Sequence, residues 1–159
     1  MNTKAPNEEK ELFTELYPSL RRFAAVVGDD DMEPEDLVQE ALTSALARGS
    51  ISGLDDPGAF LRTSIMNEIR SGRRRAARRA KKANLIAADL PPSHHDRHDF
   101  EVDGVLPVDP LDRAIVWLTA IEGRSSEEVA VVVELSAAAV RKRLSRVRSH
   151  YVREGLNND

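Results

Sequence analysis

The chain has 159 residues, 41% hydrophobic, 31% charged and only 4% aromatic, which suits one domain or two small ones with aliphatic, alanine-rich cores. With no cysteine there is no disulfide framework, no Cys-ligated metal and no thiol nucleophile. The polar first ten residues are no signal peptide, and no apolar run approaches the ~20 residues that span a membrane, so a reducing cytoplasm is the expected setting. The net charge of −4 argues against a nucleic-acid partner only until its distribution is read, because two cationic blocks stand on an acidic body.

The first element is a helix over Glu9–Val27, where Leu12, Phe13, Leu16, Leu20, Phe23, Ala24 and Val27 recur at three- and four-residue steps. Pro18 should kink or split it. After the turn at Gly28-Asp29-Asp30-Asp31, a second helix starts near Pro34 with Glu35 and Asp36 favourably placed in its first turn. Its apolar stripe is Leu37, Val38, Ala41, Leu42, Ala45 and Leu46, and Gly49 ends it. Ser50–Asp55 is a loop. Asp56-Pro57 caps a third helix that buries Phe60, Leu61, Ile65 and Ile69, then runs into the first cationic block, with Gly72 a weak point. That block, Arg70–Lys82, holds eight basic residues and no acid.

Leu90–Leu106, with Pro91-Pro92, histidines, many acids and Gly104, reads as a flexible acidic linker. Asp109-Pro110 repeats the cap-plus-proline start, and Ala114, Ile115, Leu118 and Ile121 make a helix ending at Gly123. Ser125 with Glu128 is a capping box for a short helix, Ser126–Glu134. After a turn, Ser136 caps a last helix that carries the second cationic block, Arg141–Arg153, with six basic residues and no acid. No segment alternates as a strand would. The expected class is all-α, with two small helical domains over residues 9–85 and 107–155 joined by a flexible linker at 86–106, the C-terminal one a helix-turn-helix.

On the last helix Val140, Leu144, Val147 and Tyr151 share an inward face. Ser136, Ala137, Ala138, Arg141, Lys142, Ser145 and Arg148 are the candidates for DNA, because small residues admit a major groove and the cations behind them reach base edges or phosphates. Arg143 and Arg146 lie on the flanks, suited to phosphates or acidic side chains. In the N-terminal domain Ser50, Ser52, Arg62, Asn67, Arg70, Arg73 and Arg74 combine a glycine-flanked loop, hydrogen-bonding groups and cations, which suits unpaired bases. Asp36, Gln39 and Glu40 form an acidic edge, either helix-dipole compensation or a docking edge for a basic partner. His94, His95, Asp96 and His98 offer metal ligands but lie in the proline-flanked linker without a rigid surround, so no metal, cofactor or catalytic site is expected.

Three motifs together resemble the bacterial RNA polymerase sigma factors of the sigma-70 family, extracytoplasmic-function group. They are Glu35-Asp36-Leu37-Val38-Gln39-Glu40-Ala41; then Asp56-Pro57-Gly58-Ala59-Phe60-Leu61 with Asn67 and Arg73-Arg74-Arg75; then Ser125-Ser126-Glu127-Glu128-Val129-Ala130 with Val140-Arg141-Lys142-Arg143-Leu144-Ser145-Arg146. The resemblance implies a non-enzymatic subunit that binds core RNA polymerase through Asp36, Gln39 and Glu40. It implies that the Ser50–Asp55 loop and third helix take the promoter's −10 element, that the last helix reads the −35 element, and that an anti-sigma factor controls the protein. The chain departs from the family with Phe60 for Trp, Ser71 for Asp, Glu134 for the turn Gly and Ala139 for Thr. The alternative is a stand-alone helix-turn-helix regulator, which would need no polymerase edge.

Overall fold

The computed structural model describes residues 5–86, 107 and 109–157. Among these every regular element is helical: α1 Ala5–Val27, α2 Pro34–Arg48, α3 Pro57–Ile86, α4 Pro110–Val116, α5 Ser126–Val133 and α6 Ala137–Asn157. The expected linker and its histidines lie almost wholly outside the described residues.

Local chemistry accounts for the boundaries. Asp56 accepts from the Ala59 amide at 2.9 Å and Asp109 from the Leu111 amide at 2.9 Å, each ahead of a proline in the first turn. Ser125 and Glu128 complete their capping box, and Ser136 accepts from the Ala139 amide at 3.1 Å. Of the kink or split expected at Pro18, the split does not occur: α1 passes through it as one helix. The carbonyl that Pro18 leaves without a donor belongs to Thr14; both residues are exposed, so water can satisfy it. Gly72 does not end α3 either. It admits Met32, whose terminal methyl would lie 2.7 Å from any Cβ placed there.

Helices α1, α2 and α3 pack on one another around Leu20, Phe23, Val38, Leu61, Ile65 and Ile69, all buried. Phe23 also carries the Arg62 guanidinium 5.8 Å from its ring centre. The second unit packs α4, α5 and α6 around Ile115, Leu118, Val129, Val133 and Val140. The chain between α4 and α5 widens into a π-helical turn at Trp117–Ile121, and Gly123 turns it with φ 66°. The two units are not separate bodies. Helix α4 lies against α1 and α5 against α3, and their buried side chains form one continuous cluster.

Helix α5 ends at Glu134, which adopts φ 56°, ψ 43°. This is the left-handed conformation glycine takes without cost and other residues take at about 1 kcal/mol. Glu134→Gly and Glu134→Ala both delete the carboxylate, yet only alanine keeps the strain. The glycine variant should be the more stable by about 1 kcal/mol in urea denaturation, and equal midpoints would contradict the left-handed turn.

Candidate nucleic-acid interface

The helix-turn-helix presents its cationic face to solvent. Val140 is buried, Val147 is 9% exposed, and Leu144 and Tyr151 are half-buried, so the expected inward face is in place. On the other side Ser136, Ala138, Arg141, Lys142, Ser145 and Arg148 are exposed, with Ala137 half-buried beside them. Arg141 lies 3.2 Å from Glu127 in an exposed pair that DNA phosphate can displace at little cost. Arg143 is committed to Asp112 at 2.9 Å, and Arg146 stands 3.8 Å from the same carboxylate. An open groove beside α6 is bordered by Arg124, Ser126, Arg141, Ser145, Arg148 and Arg153. Of these, Arg124 escaped the sequence reading, Ser126 read only as part of a helix start, and Arg153 only as the end of the second cationic block.

On α2, Asp36, Gln39 and Glu40 are exposed together, three and four residues apart on one face, while Leu37, Val38 and Ala41 fill the core behind them. The Ser50–Asp55 loop is pinned by buried Ile51 and leaves Ser50 and Ser52 exposed. Both serines, with the amides of Ile51 and Ser52, donate to the Glu9 carboxylate, at 3.2 Å from the Ile51 amide and 3.0 Å from that of Ser52. The Ser50 hydroxyl foremost, aided by the donors of Ser52 and Ile51 against some desolvation, lowers the Glu9 carboxyl to about 2.

The remaining N-terminal candidates are divided between surface and seam. Asn67 and Arg74 are exposed. Arg73, also exposed, holds Asp29 through two hydrogen bonds of 2.6 and 2.9 Å. Arg62 is buried, 4% exposed, and donates to Glu122 of the second unit at 3.1 and 3.2 Å, to the Gly58 carbonyl and to the Ser19 hydroxyl. Burial lowers its pKa although Glu122 opposes that. The same carboxylate accepts from the Trp117 indole at 3.2 Å and from Arg124 at 3.0 Å.

Two further arginines bridge the units in opposite directions. Arg113 of α4 donates to the Val27 carbonyl at the end of α1 at 3.0 Å, to Gly28 and to Asp29. Arg70 of α3 donates to the Val133 carbonyl at the end of α5 at 3.2 Å and reaches Glu134 at 3.4 Å. Neither α1 nor α5 has a basic residue in its own last turn. Each unit therefore supplies the cation that neutralises a helix C-terminus in the other. Arg73 first, then Arg113, hold the Asp29 carboxyl below its ordinary value against partial desolvation.

Acidic edge, cationic third helix and helix-turn-helix follow one another in this order along the chain. The family described as Sigma-70 region 2 matches residues 12–79, and that described as Sigma-70, region 4 matches residues 108–150. The chain belongs to the sigma-70 family, in its extracytoplasmic-function group. It is 33% identical over 155 aligned positions to the probable RNA polymerase sigma factor RfaY of Xanthomonas campestris pv. campestris, an alignment that takes in 87% of this chain and 38% of RfaY. Thus the chain spans well under half the length of that relative. Its fold is similar to that of the sigma factor RpoE of Bartonella quintana, solved in complex with the anti-sigma factor NepR, with a TM-score of 0.67, 26% identity and coverage of 88% and 91% of the two chains.

Two outcomes test the seam. Glu122→Ala leaves Arg62 buried without its carboxylate, and urea denaturation should record a loss of about 3 kcal/mol; a loss below ~1 kcal/mol would mean that the pair does not join the units. Asp29 contributes stability above the ordinary Asp pKa that is lost as pH falls through its lowered folded value. Between about pH 5 and about pH 3 the wild type should therefore lose more stability than Asp29→Asn, and parallel curves would refute the assignment.

Proposed function

We propose that the protein is a sigma factor: it binds core RNA polymerase and directs it to particular promoters, without catalysing a reaction itself. The observation that carries this reading is the exposed row Ala138, Arg141, Lys142, Ser145 and Arg148 on the second helix of a helix-turn-helix, within a chain of the sigma-70 family. In this reading α6 enters the major groove at the −35 element. The flanking groove arginines take phosphates, which makes binding strongly salt-dependent. Asp36, Gln39 and Glu40 dock the polymerase, a basic partner surface being the chemical complement of that edge. The Ser50–Asp55 loop and the exposed cations of α3 take the unwound −10 strand.

Arg62 and Arg70 have a double assignment in this scheme. Both are engaged across the seam, so a single strand reaches them only after the α4–α6 unit withdraws from α3. The arrangement described here is then the resting, closed form, and an anti-sigma factor of the kind NepR is for its RpoE is the proposed holder of that form. The cytoplasm, where polymerase and genome reside, is the proposed location; no described helix is long and apolar enough to cross a membrane.

The test is transcription from a randomised promoter library with purified core polymerase. Promoter-selective transcripts that depend on the added protein are expected. Asp36→Ala with Gln39→Ala should reduce capture of core polymerase about tenfold with an unchanged melting temperature. Undiminished capture would refute the docking edge, and tight operator binding with no affinity for polymerase would make the protein a stand-alone regulator.

A further inference from the structure

The contact that neither the helix pattern nor the sigma-factor reading absorbs is the one between Glu9 and the Ser50–Ser52 loop. Glu9 precedes the segment that matches the region 2 family, which begins at residue 12. Its carboxylate nonetheless accepts from four groups of a loop 41 to 43 positions away, two backbone amides and two hydroxyls. The loop's own bonds are few: Gly49 sits at φ 148°, Gly53 has open space around its Cα, the Leu54 amide donates to the Ile51 carbonyl at 3.2 Å, the Ser50 and Ser52 hydroxyls lie 2.7 Å apart, and Leu54 packs beside Ile51 against the core. Ile51 anchors the loop from below, while Ser50, Ser52, Gly53 and Asp55 face outward, where an unpaired base would meet them.

We propose that Glu9 is a positioning residue for base capture: by gathering the Ser50 and Ser52 hydroxyls and the Ile51 and Ser52 amides on one carboxylate, it presets the loop in the shape that receives an unpaired promoter base. This rests on the sigma-factor reading of the loop. The physical basis is preorganisation. A six-residue loop bordered by glycine loses conformational entropy when a ligand orders it, and a partner that has already ordered it removes that cost from binding. It also determines where the hydrogen-bonding groups point, so it acts on discrimination between bases as well as on affinity. Glu9 need not touch the base. Both serines keep a hydroxyl lone pair for it while they donate to Glu9.

Transcription from a promoter library randomised across both elements, run with the full-length chain and core polymerase, tests this directly. Wild type should show base preferences at both elements. Glu9→Ala should lose about tenfold in preference at one −10 position and keep its −35 preferences and its affinity for core polymerase. Glu9→Gln, which retains the length and one acceptor oxygen, should fall between the two. A merely stabilising role would lower all output uniformly and leave the preferences intact, and that result overturns the proposal. So does a gain in −10 binding on Glu9→Ala, which would make the carboxylate a plug that the strand must displace. Should Glu9→Ala fail to fold, unchanged preferences in Glu9→Gln overturn the proposal in its place. If wild type itself gives no promoter-selective transcripts, the sigma-factor reading fails, a result distinguishable from failure of the role of Glu9.

Discussion

The buried guanidinium of Arg62 governs the rest of this structure. A cation that is 4% exposed persists only with a carboxylate and several acceptors around it, and the carboxylate comes from Glu122 in the other half of the chain. Formation of the N-terminal core thus places a demand on the C-terminal unit. The π-helical turn at Trp117–Ile121 brings Glu122 to the seam, where Trp117 and Arg124 fix its orientation. Arg113 and Arg70 add reciprocity, each meeting the carbonyl end of a helix in the opposite unit that has no cation of its own. The halves are therefore held by directional arginine contacts in addition to the continuous apolar cluster they share where α4 meets α1 and α5 meets α3.

The arginine contacts of the seam suit the opening that the proposed function requires. Arginines satisfied by carboxylates and carbonyl oxygens are equally well satisfied by phosphates, so in the proposed function seam and promoter compete for the same donors. An apolar seam of similar extent would offer DNA nothing to exchange. The outer face of α6 behaves differently: its cations Arg141, Lys142 and Arg148 are exposed, and among the described residues Arg141 pairs weakly with Glu127. On the proposed assignments the −35 face is open in this arrangement while Arg62, Arg70 and Arg73 of the −10 set are engaged, an asymmetry set by which arginines find acceptors within the chain.

Local chemistry made most of the fold legible in the sequence. The caps Asp56, Asp109, Ser125 and Ser136 begin helices where they were expected, because a side-chain oxygen two or three residues ahead of an unpaired amide acts locally. The inward face of α6 and the stripe of α2 followed from periodicity. The expected split at Pro18 does not occur, and the fit of the Met32 methyl at Gly72 could not be read, since solvent at Thr14 and the approach of Met32 are tertiary circumstances. The seam was illegible for the same reason: Arg62 and Glu122 are 60 positions apart and neither has an unusual neighbour. Glu134 was noted as an unexpected turn residue, but its partnership with Arg70 is visible only once the units are packed together.

In the proposed function the two units are clasped in the free protein and part on the polymerase. Because the chain has no cysteine, spin labels at Ala25→Cys in α1 and Ala120→Cys in the π-helical turn can be placed without side reactions. The decisive measurement is the distance distribution between them by pulsed electron resonance, with and without core RNA polymerase. A single short distance in the free protein that gives way to a longer one on the polymerase is the predicted result. A broad distribution in the free protein, or a short distance that persists in the complex at a promoter, would contradict it.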